Sequence, residues 1–331
     1  MNRRRLIFVV VVLVAVGVAI GYVGNAARSS APLDQEGGGS VRTQDTPLLV
    51  FQRVSLDGKE NAHIGVRSLA GNRERLTKLV CERVYFAGGR GLCLLPRATL
   101  GWNYEARVFG PDFRVQQTIS LPGINSRARV SPDGRYGAAT GFVNGHSYAD
   151  ESFSTQTFIL DLVQGEKVAN LEDFAVYHEG RKVTAVDRNF WGVTFTSDSN
   201  RFYATMATGG KTYLVVADLR RRTGRTLHEN VECPSLSPDG TRIAYKRAVP
   251  DRGWLLTVLD LKTGRETATA ESRSVDDQAE WLDNEHVLYG QDGAIWTVPA
   301  DGSGTPEQLL DGALSPAVVR GSGDATPRVS T

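Results

Sequence analysis

A four-residue turn constrains this chain more than any other feature. Ser131-Pro132-Asp133-Gly134 returns as Ser237-Pro238-Asp239-Gly240, and weaker copies read Thr196-Ser197-Asp198-Ser199 and Trp281-Leu282-Asp283-Asn284. Proline presets φ, aspartate bonds its own backbone, and glycine takes the left-handed position that a β-carbon resists. An alternating apolar run follows each copy: Tyr136–Ala139, Phe202–Ala204, Ile243–Tyr245 and Val287–Tyr289. A second signature comes later in each unit, Asp161-Leu162, Asp218-Leu219 and Asp260-Leu261, followed by Gly165, Gly224 and Gly264. Two signatures recurring in one order define a repeat protein. Each unit reads as strand A, turn, strand B, loop, strand C, turn, strand D, with these aspartates as turn formers rather than catalytic acids.

The spacing sets the number of units. Asp198 to Asp239 is 41 positions and Asp239 to Asp283 is 44. Dividing residues 48–320 by a unit of about 45 residues gives about six, with five or seven as alternatives because the first two units lack the sharp turn. The Ser-Pro-Asp-Gly turn before an alternating strand resembles the WD40-like repeat of the TolB family's β-propeller. The resemblance implies an all-β, six-bladed propeller of four-stranded antiparallel blades, with a partner bound at one face. TolB proteins also carry an N-terminal α/β domain, for which this chain has no room.

Ahead of the repeats stand Arg3-Arg4-Arg5 and an apolar run from Leu6 to Val23. Eighteen apolar residues reach the minimum for a membrane helix. The cleavage sites that follow are poor, and no cysteine follows to carry a lipid. Residues 1–5 read as a cytoplasmic basic segment, 6–23 as a transmembrane anchor and 24–46 as a flexible linker holding Gly37-Gly38-Gly39-Ser40. Residues 47–320 read as the propeller and 321–331 as a disordered tail. The arginines stay inside, so the propeller lies outside the cytoplasm. The alternative is secretion after cleavage.

Net charge is +1, which leaves no footprint for nucleic acid. There is no Gly-x-Ser-x-Gly elbow, no metal-ligand spacing among the histidines and no calcium loop, so neither a cofactor nor a catalytic set is expected. Trp102, Trp191, Trp254, Trp281 and Trp296 read first as packing residues. Cys81 and Cys93 flank a turn at Gly88-Gly89, either as a cross-strand disulfide or as two small buried side chains, and Cys233 has no evident partner.

Blade three is long. Relative to the other units it carries insertions around 142–153 and 172–189, both on connections of one face. Counting back from each turn puts Glu82, Ser126, Trp191, Glu232 and Asp277 at the starts of innermost strands. Three are acidic, which predicts an acidic channel rim, flanked by the loops holding His146 and His178, that favours a cationic ligand or a metal ion. Finally, Leu48–Val54 lacks a strand A, whereas Leu314–Arg320 is one strand too many for blade six. Residues 314–320 are therefore expected to complete blade one.

The function expected is a membrane-anchored, extracytoplasmic binding module without enzymatic activity, taking a cell-envelope protein or peptide. The competing expectations are a propeller hydrolase or lactonase-like enzyme using a channel carboxylate or metal, and a sensory or accessory domain of a membrane kinase or transporter.

Overall fold

The computed structural model describes residues 47–54, 62–71, 73–97, 103–143 and 154–320. The basic segment, the apolar run 6–23, the linker, the tail 321–331 and His146 lie outside the described residues. Among the described residues no helix is long and apolar enough to cross a membrane.

Six sheets form the blades. Blade one holds β1 (Leu48–Arg53), β2 (His63–Ser68) and β3 (Glu74–Val80). Blade two holds β4 (Arg83–Ala87), β5 (Arg90–Pro96), β6 (Asn103–Phe109) and β7 (Val115–Pro122). Blade three runs through β8 (Ile124–Val130), β9 (Tyr136–Val143), β10 (Ser154–Asp161) and β11 (Glu166–Asn170). A 3-10 turn at Leu171–Asp173 and the strands β12 (Ala175–His178) and β13 (Arg181–Lys182) come next. Blade four proper is β14 (Asn189–Phe195), β15 (Arg201–Thr208), β16 (Lys211–Asp218) and β17 (Thr223–Glu229). Blade five is β18 (Glu232–Leu236), β19 (Arg242–Val249), β20 (Gly253–Asp260) and β21 (Glu266–Ala268). Blade six is β22 (Glu280–Trp281), β23 (His286–Gln291), β24 (Ala294–Pro299) and β25 (Glu307–Asp311).

The last strand, β26 (Ala313–Val319), pairs antiparallel with β1, from Leu48 opposite Val319 to Arg53 opposite Ala313. Both ends of the described chain therefore share blade one, as the sequence pattern requires. β26 covers the edge of β1 that would otherwise be an open template for wrong pairing.

The repeated turns are built as their chemistry predicts. Asp133 Oδ1 accepts from Ser131 Oγ at 2.6 Å and from the Arg135 N–H at 3.0 Å, and Gly134 takes φ 71°. Asp239 repeats this with Ser237 Oγ at 2.5 Å and the Thr241 N–H at 3.0 Å. In the degraded copy Asp198 still accepts from the Asn200 and Arg201 N–H groups, and Ser199 is left-handed at φ 55°. Partial burial opposes ionisation there, but donors from Arg201 and Thr196 outweigh it and hold the Asp198 carboxyl below the usual range. In the second signature, Asp161 and Asp260 accept the N–H groups of Val163 and Lys262, and their carbonyls those of Gly165 and Gly264. One expectation is corrected. After Asp218 the left-handed residue is Arg222, at φ 53°, and Gly224 lies inside β17, because the turn is counted from the aspartate and not from the glycine.

One glycine position is decided by contact. A β-carbon on Gly88 would sit 2.2 Å from the Gly134 nitrogen, so the A–B turns of blades two and three touch backbone to backbone. We call the side carrying the A–B and C–D turns the turn face, and the opposite side, where innermost strands begin, the rim face.

The two insertions behave differently from each other. The first, between β9 and β10, falls largely on residues 144–153, outside the described residues. The second leaves blade three altogether. β12 pairs in parallel with β17, β13 pairs antiparallel with β12, and blade four becomes six-stranded. Glu179 and Gly180, at φ 47° and 79°, form the two-residue turn whose twist suits a hairpin.

Candidate functional site

The innermost strands β4, β8, β14, β18, β22 and β26 line a central shaft. Alternation on β4 and β8 sends every second residue into it. Val84 and Phe86 are buried in the core between blades, which leaves Arg83 and Tyr85 for the shaft. Likewise Val130 is buried between blades, and Arg127 and Arg129 face inward.

Arg129 reaches across the shaft. It ion-pairs with Glu280 of β22, and its second amino group donates to Ser235 Oγ at 3.1 Å and to the Ala279 carbonyl. Its guanidinium lies 4.5 Å from the centre of the Tyr85 ring, and the Tyr85 hydroxyl donates to Glu280 at 3.1 Å. Arg320, just past β26, reaches Glu280 at 3.9 Å. Arg129 is 4% exposed and Glu280 3%. Burial and the Glu280 charge push the Tyr85 hydroxyl up to about 12, so it stays protonated and donates. Burial opposes the charge on Arg129, but the Glu280 carboxylate outweighs it and keeps the guanidinium charged. Residues of blades two, three, five and six thus meet on one buried ion pair, with the end of blade one beside it.

Three innermost strands carry the same bulge. Gly192-Val193, Cys233-Pro234 and Ser315-Pro316 each set two residues opposite one, and the first of each pair is left-handed, at φ 64°, 49° and 54°. Bulges turn backbone groups out of the ladder. Here the Val193 and Pro234 carbonyls both accept from Gln278 Nε2, at 3.2 and 3.1 Å. Glycine is needed at 192 twice over, since a β-carbon would also meet Cys233 Cα at 2.5 Å. Cys233 is a buried free thiol whose N–H donates to Thr205 Oγ1 at 2.9 Å. Cys81 and Cys93 are joined by a disulfide where the chain enters blade two.

The residues expected at the rim sit at or just before their innermost strands. Each carboxylate holds a neighbour. Glu82 accepts from Asn125 Nδ2 at 3.0 Å, Glu232 from Trp254 Nε1 at 3.0 Å, and Asp277 from the Gln278 and Gly290 N–H groups. Ser126 offers its carbonyl to Arg83 Nε at 2.8 Å. Trp191 is half-buried on β14, opposite Thr205. Cations stand among them. Lys246 Nζ binds Asp276 at 2.6 Å and lies 4.5 Å from the centre of the Trp254 ring, and Arg127 donates to the Asp276 carbonyl at 2.8 Å. Burial works against the charge of Arg127 and Lys246, but the Asp276 carboxylate beside both, with Asp277 beside Arg127, holds them charged. The rim is therefore a ring of mixed charge and not an acidic one. The missed cations Arg83, Arg127 and Arg129 were marked in the sequence by their alternation with Val84, Phe86, Ala128 and Val130.

His178 is also displaced from expectation. It lies on β12 at the perimeter of blade four, its Nδ1 2.9 Å from Thr226 Oγ1 and its ring 5.0 Å from that of Tyr213. The loop that carries it is drawn outward because β12 finds unpaired backbone on β17. At its root, Glu172 has both carboxyl oxygens shut from solvent without a hydrogen-bond partner, although the residue as a whole is half-buried. Burial pushes this carboxyl up to about 8.

No protein-family model matches the chain, and no curated protein matches it in sequence. Solved structures match in shape. TolB from Acinetobacter baumannii superposes with a TM-score of 0.60 at 15% identity, over 85% of this chain and 68% of that one. A chain of a nidogen/laminin complex gives 0.55 at 8% identity, over 82% and 97%. A puromycin-hydrolyzing peptidase from Mycobacterium tuberculosis gives 0.51 at 14% identity, over 83% of this chain but 46% of that one. At such identities the likeness is one of architecture, and that architecture is the TolB-like six-bladed β-propeller.

Proposed function

We propose that this protein is a non-enzymatic binding module of the cell envelope, anchored in the membrane by residues 6–23, which takes a protein or peptide on the rim face of its propeller. The observation that supports this most is the engaged carboxylate of the shaft. Glu280, the carboxylate buried within it, is held by Arg129, Tyr85 and Arg320. A lactonase-like or hydrolytic mechanism needs a shaft carboxylate free to act. A binding face needs only a rigid frame with polar groups around its rim, which the engaged side chains of Glu82, Glu232 and Asp277 supply. An outward-facing propeller on a flexible tether suits an envelope partner, since the linker 24–46 sets its distance from the bilayer.

Crosslinking in intact membranes tests the reading. The parent chain is expected to capture a defined protein, and the combined change Glu82→Gln, Glu232→Gln, Asp277→Asn to weaken that capture without lowering thermal stability. Turnover of a lactone or ester that disappears in Glu280→Gln would replace the binding reading with the enzymatic one. Extraction by carbonate, or a mature N-terminus near Ala27 or Pro32, would refute the anchor.

A further inference from the structure

The turn face is electrically lopsided. From Asn189 to Ala268, which is blades four and five, the sequence holds twelve lysines and arginines against eight carboxylates. From Gln278 to Val319, which is blade six with β26, it holds seven carboxylates and no lysine or arginine. The basic excess concentrates on two C–D turns of neighbouring blades, Leu219–Arg222 and Leu261–Arg265, with Arg225 just beyond the first. Arg220, Arg221, Arg225, Lys262 and Arg265 are exposed, and among the described residues none of them forms an ion pair with a carboxylate. The aspartates nearest in sequence are already engaged. Asp218 accepts the Arg221 N–H, and Asp260 the N–H groups of Lys262 and Thr263.

The chain enters the disc on this same face. Leu48 pairs with Val319 and with Ser68, at the turn-face ends of β26 and β2, and the Pro47 carbonyl accepts the Leu69 N–H at 3.0 Å. The described part of the chain thus begins on the face that bears the unpaired cations.

We propose that the turn face of blades four and five is a docking surface for anionic phospholipid headgroups, so that the disc rests on the bilayer by this edge with the rim face outward. This rests on the membrane-anchored reading above. Cations at a surface are attracted to an anionic leaflet and screened by salt. Asp283, Glu285 and Asp301, exposed on the A–B and C–D turns of blade six, are repelled by the same leaflet, which confines the contact to blades four and five.

The test uses the full chain reconstituted into vesicles of phosphatidylcholine, with or without phosphatidylglycerol, and follows trypsin cleavage. Cleavage after Arg220–Arg222 and Lys262 is expected to slow by about tenfold with phosphatidylglycerol and recover in high salt. Cleavage after Arg114, on the turn face of blade two across the ring from blade five, is expected to change little. Each charge removed, as in Arg220→Ser or Lys262→Ser, should weaken docking by about fivefold. Equal rates in both vesicles, with the chain still floating with them, overturn the docking and leave the anchor standing. Flotation with phosphatidylglycerol vesicles alone supports the docking and removes the anchor, and flotation with neither overturns both. Protection that appears only when native membrane proteins are added assigns the patch to an acidic protein and overturns the lipid.

Discussion

Blade one and blade four both depart from the four-strand plan of a self-contained unit, in opposite ways. Blade one borrows its innermost strand from the far end of the chain. Blade four gains two strands at its outermost edge from the insertion that precedes it. The borrowed strand is part of the core, with Ala313 and Ala317 fully buried and Val318 and Val319 nearly so. The added β13 has both residues exposed. The lesson is that a blade's position along the radius, more than its strand count, decides what an extra strand is worth. An inner strand buries apolar surface against two neighbouring blades. An outer one satisfies backbone groups and adds little hydrophobic area.

The largest expected effect comes from removing the borrowed strand. Truncation after Gly312 should abolish cooperative unfolding, because the rest of blade one loses its inner neighbour while β22 and β4 lose what they pack on. Truncation after Arg320 should leave the melting temperature unchanged. A cooperative transition in the shorter chain would break the comparison at its first term.

Next comes the lock that ties blade one's end to the rest of the shaft. Glu280→Ala leaves the buried Arg129 without its counter-ion and should cost about 3–5 kcal/mol in denaturant unfolding. Replacing both partners by methionine should cost much less, since no buried charge remains unpaired. If the single and double changes cost the same, packing and not charge holds the shaft together.

The root of the added hairpin makes a pH-dependent contribution. Folded Glu172 keeps its proton up to about 8, whereas an unfolded glutamate loses it near ~4.3. Across that window the fold holds a proton that the unfolded chain does not. Stability therefore falls as pH rises from about 4.3 towards 8 and levels off above it. Glu172→Gln should remove this slope, with a gain above pH 8 on the order of 2–4 kcal/mol after allowing for the half-buried residue. An unchanged slope in urea unfolding across pH 5–8 would show that the carboxyl is hydrated. The smallest effect belongs to the hairpin itself. Replacing residues 177–184 by a short glycine-serine link should cost about 1–2 kcal/mol, little more than the backbone bonds it forms with β17.

Much of this architecture was legible before any coordinates. The Ser-Pro-Asp-Gly turns, the unit spacing and the misplaced apolar strand at 314–320 lead to a closed ring, because turn chemistry and strand alternation act over a few residues. The disulfide stood as one of two readings, and adjacency across the Gly88-Gly89 hairpin was all the sequence offered for it. The left-handed Arg222 was missed because Gly224 is the more usual sign of such a position. The mixed rim was missed because a count back from each turn reaches strand starts and skips the shaft beyond them.

The turns, the strand alternation and the strand that closes the ring follow from residues close together in the chain. Ring closure alone brings Arg129 to Glu280, 151 residues away, aims two bulge carbonyls at one glutamine, and turns the second insertion outward onto β17. The reason is physical. Local backbone preference is written in neighbouring residues, whereas the pairing of a buried charge or an open strand edge depends on what closure of the ring brings beside it.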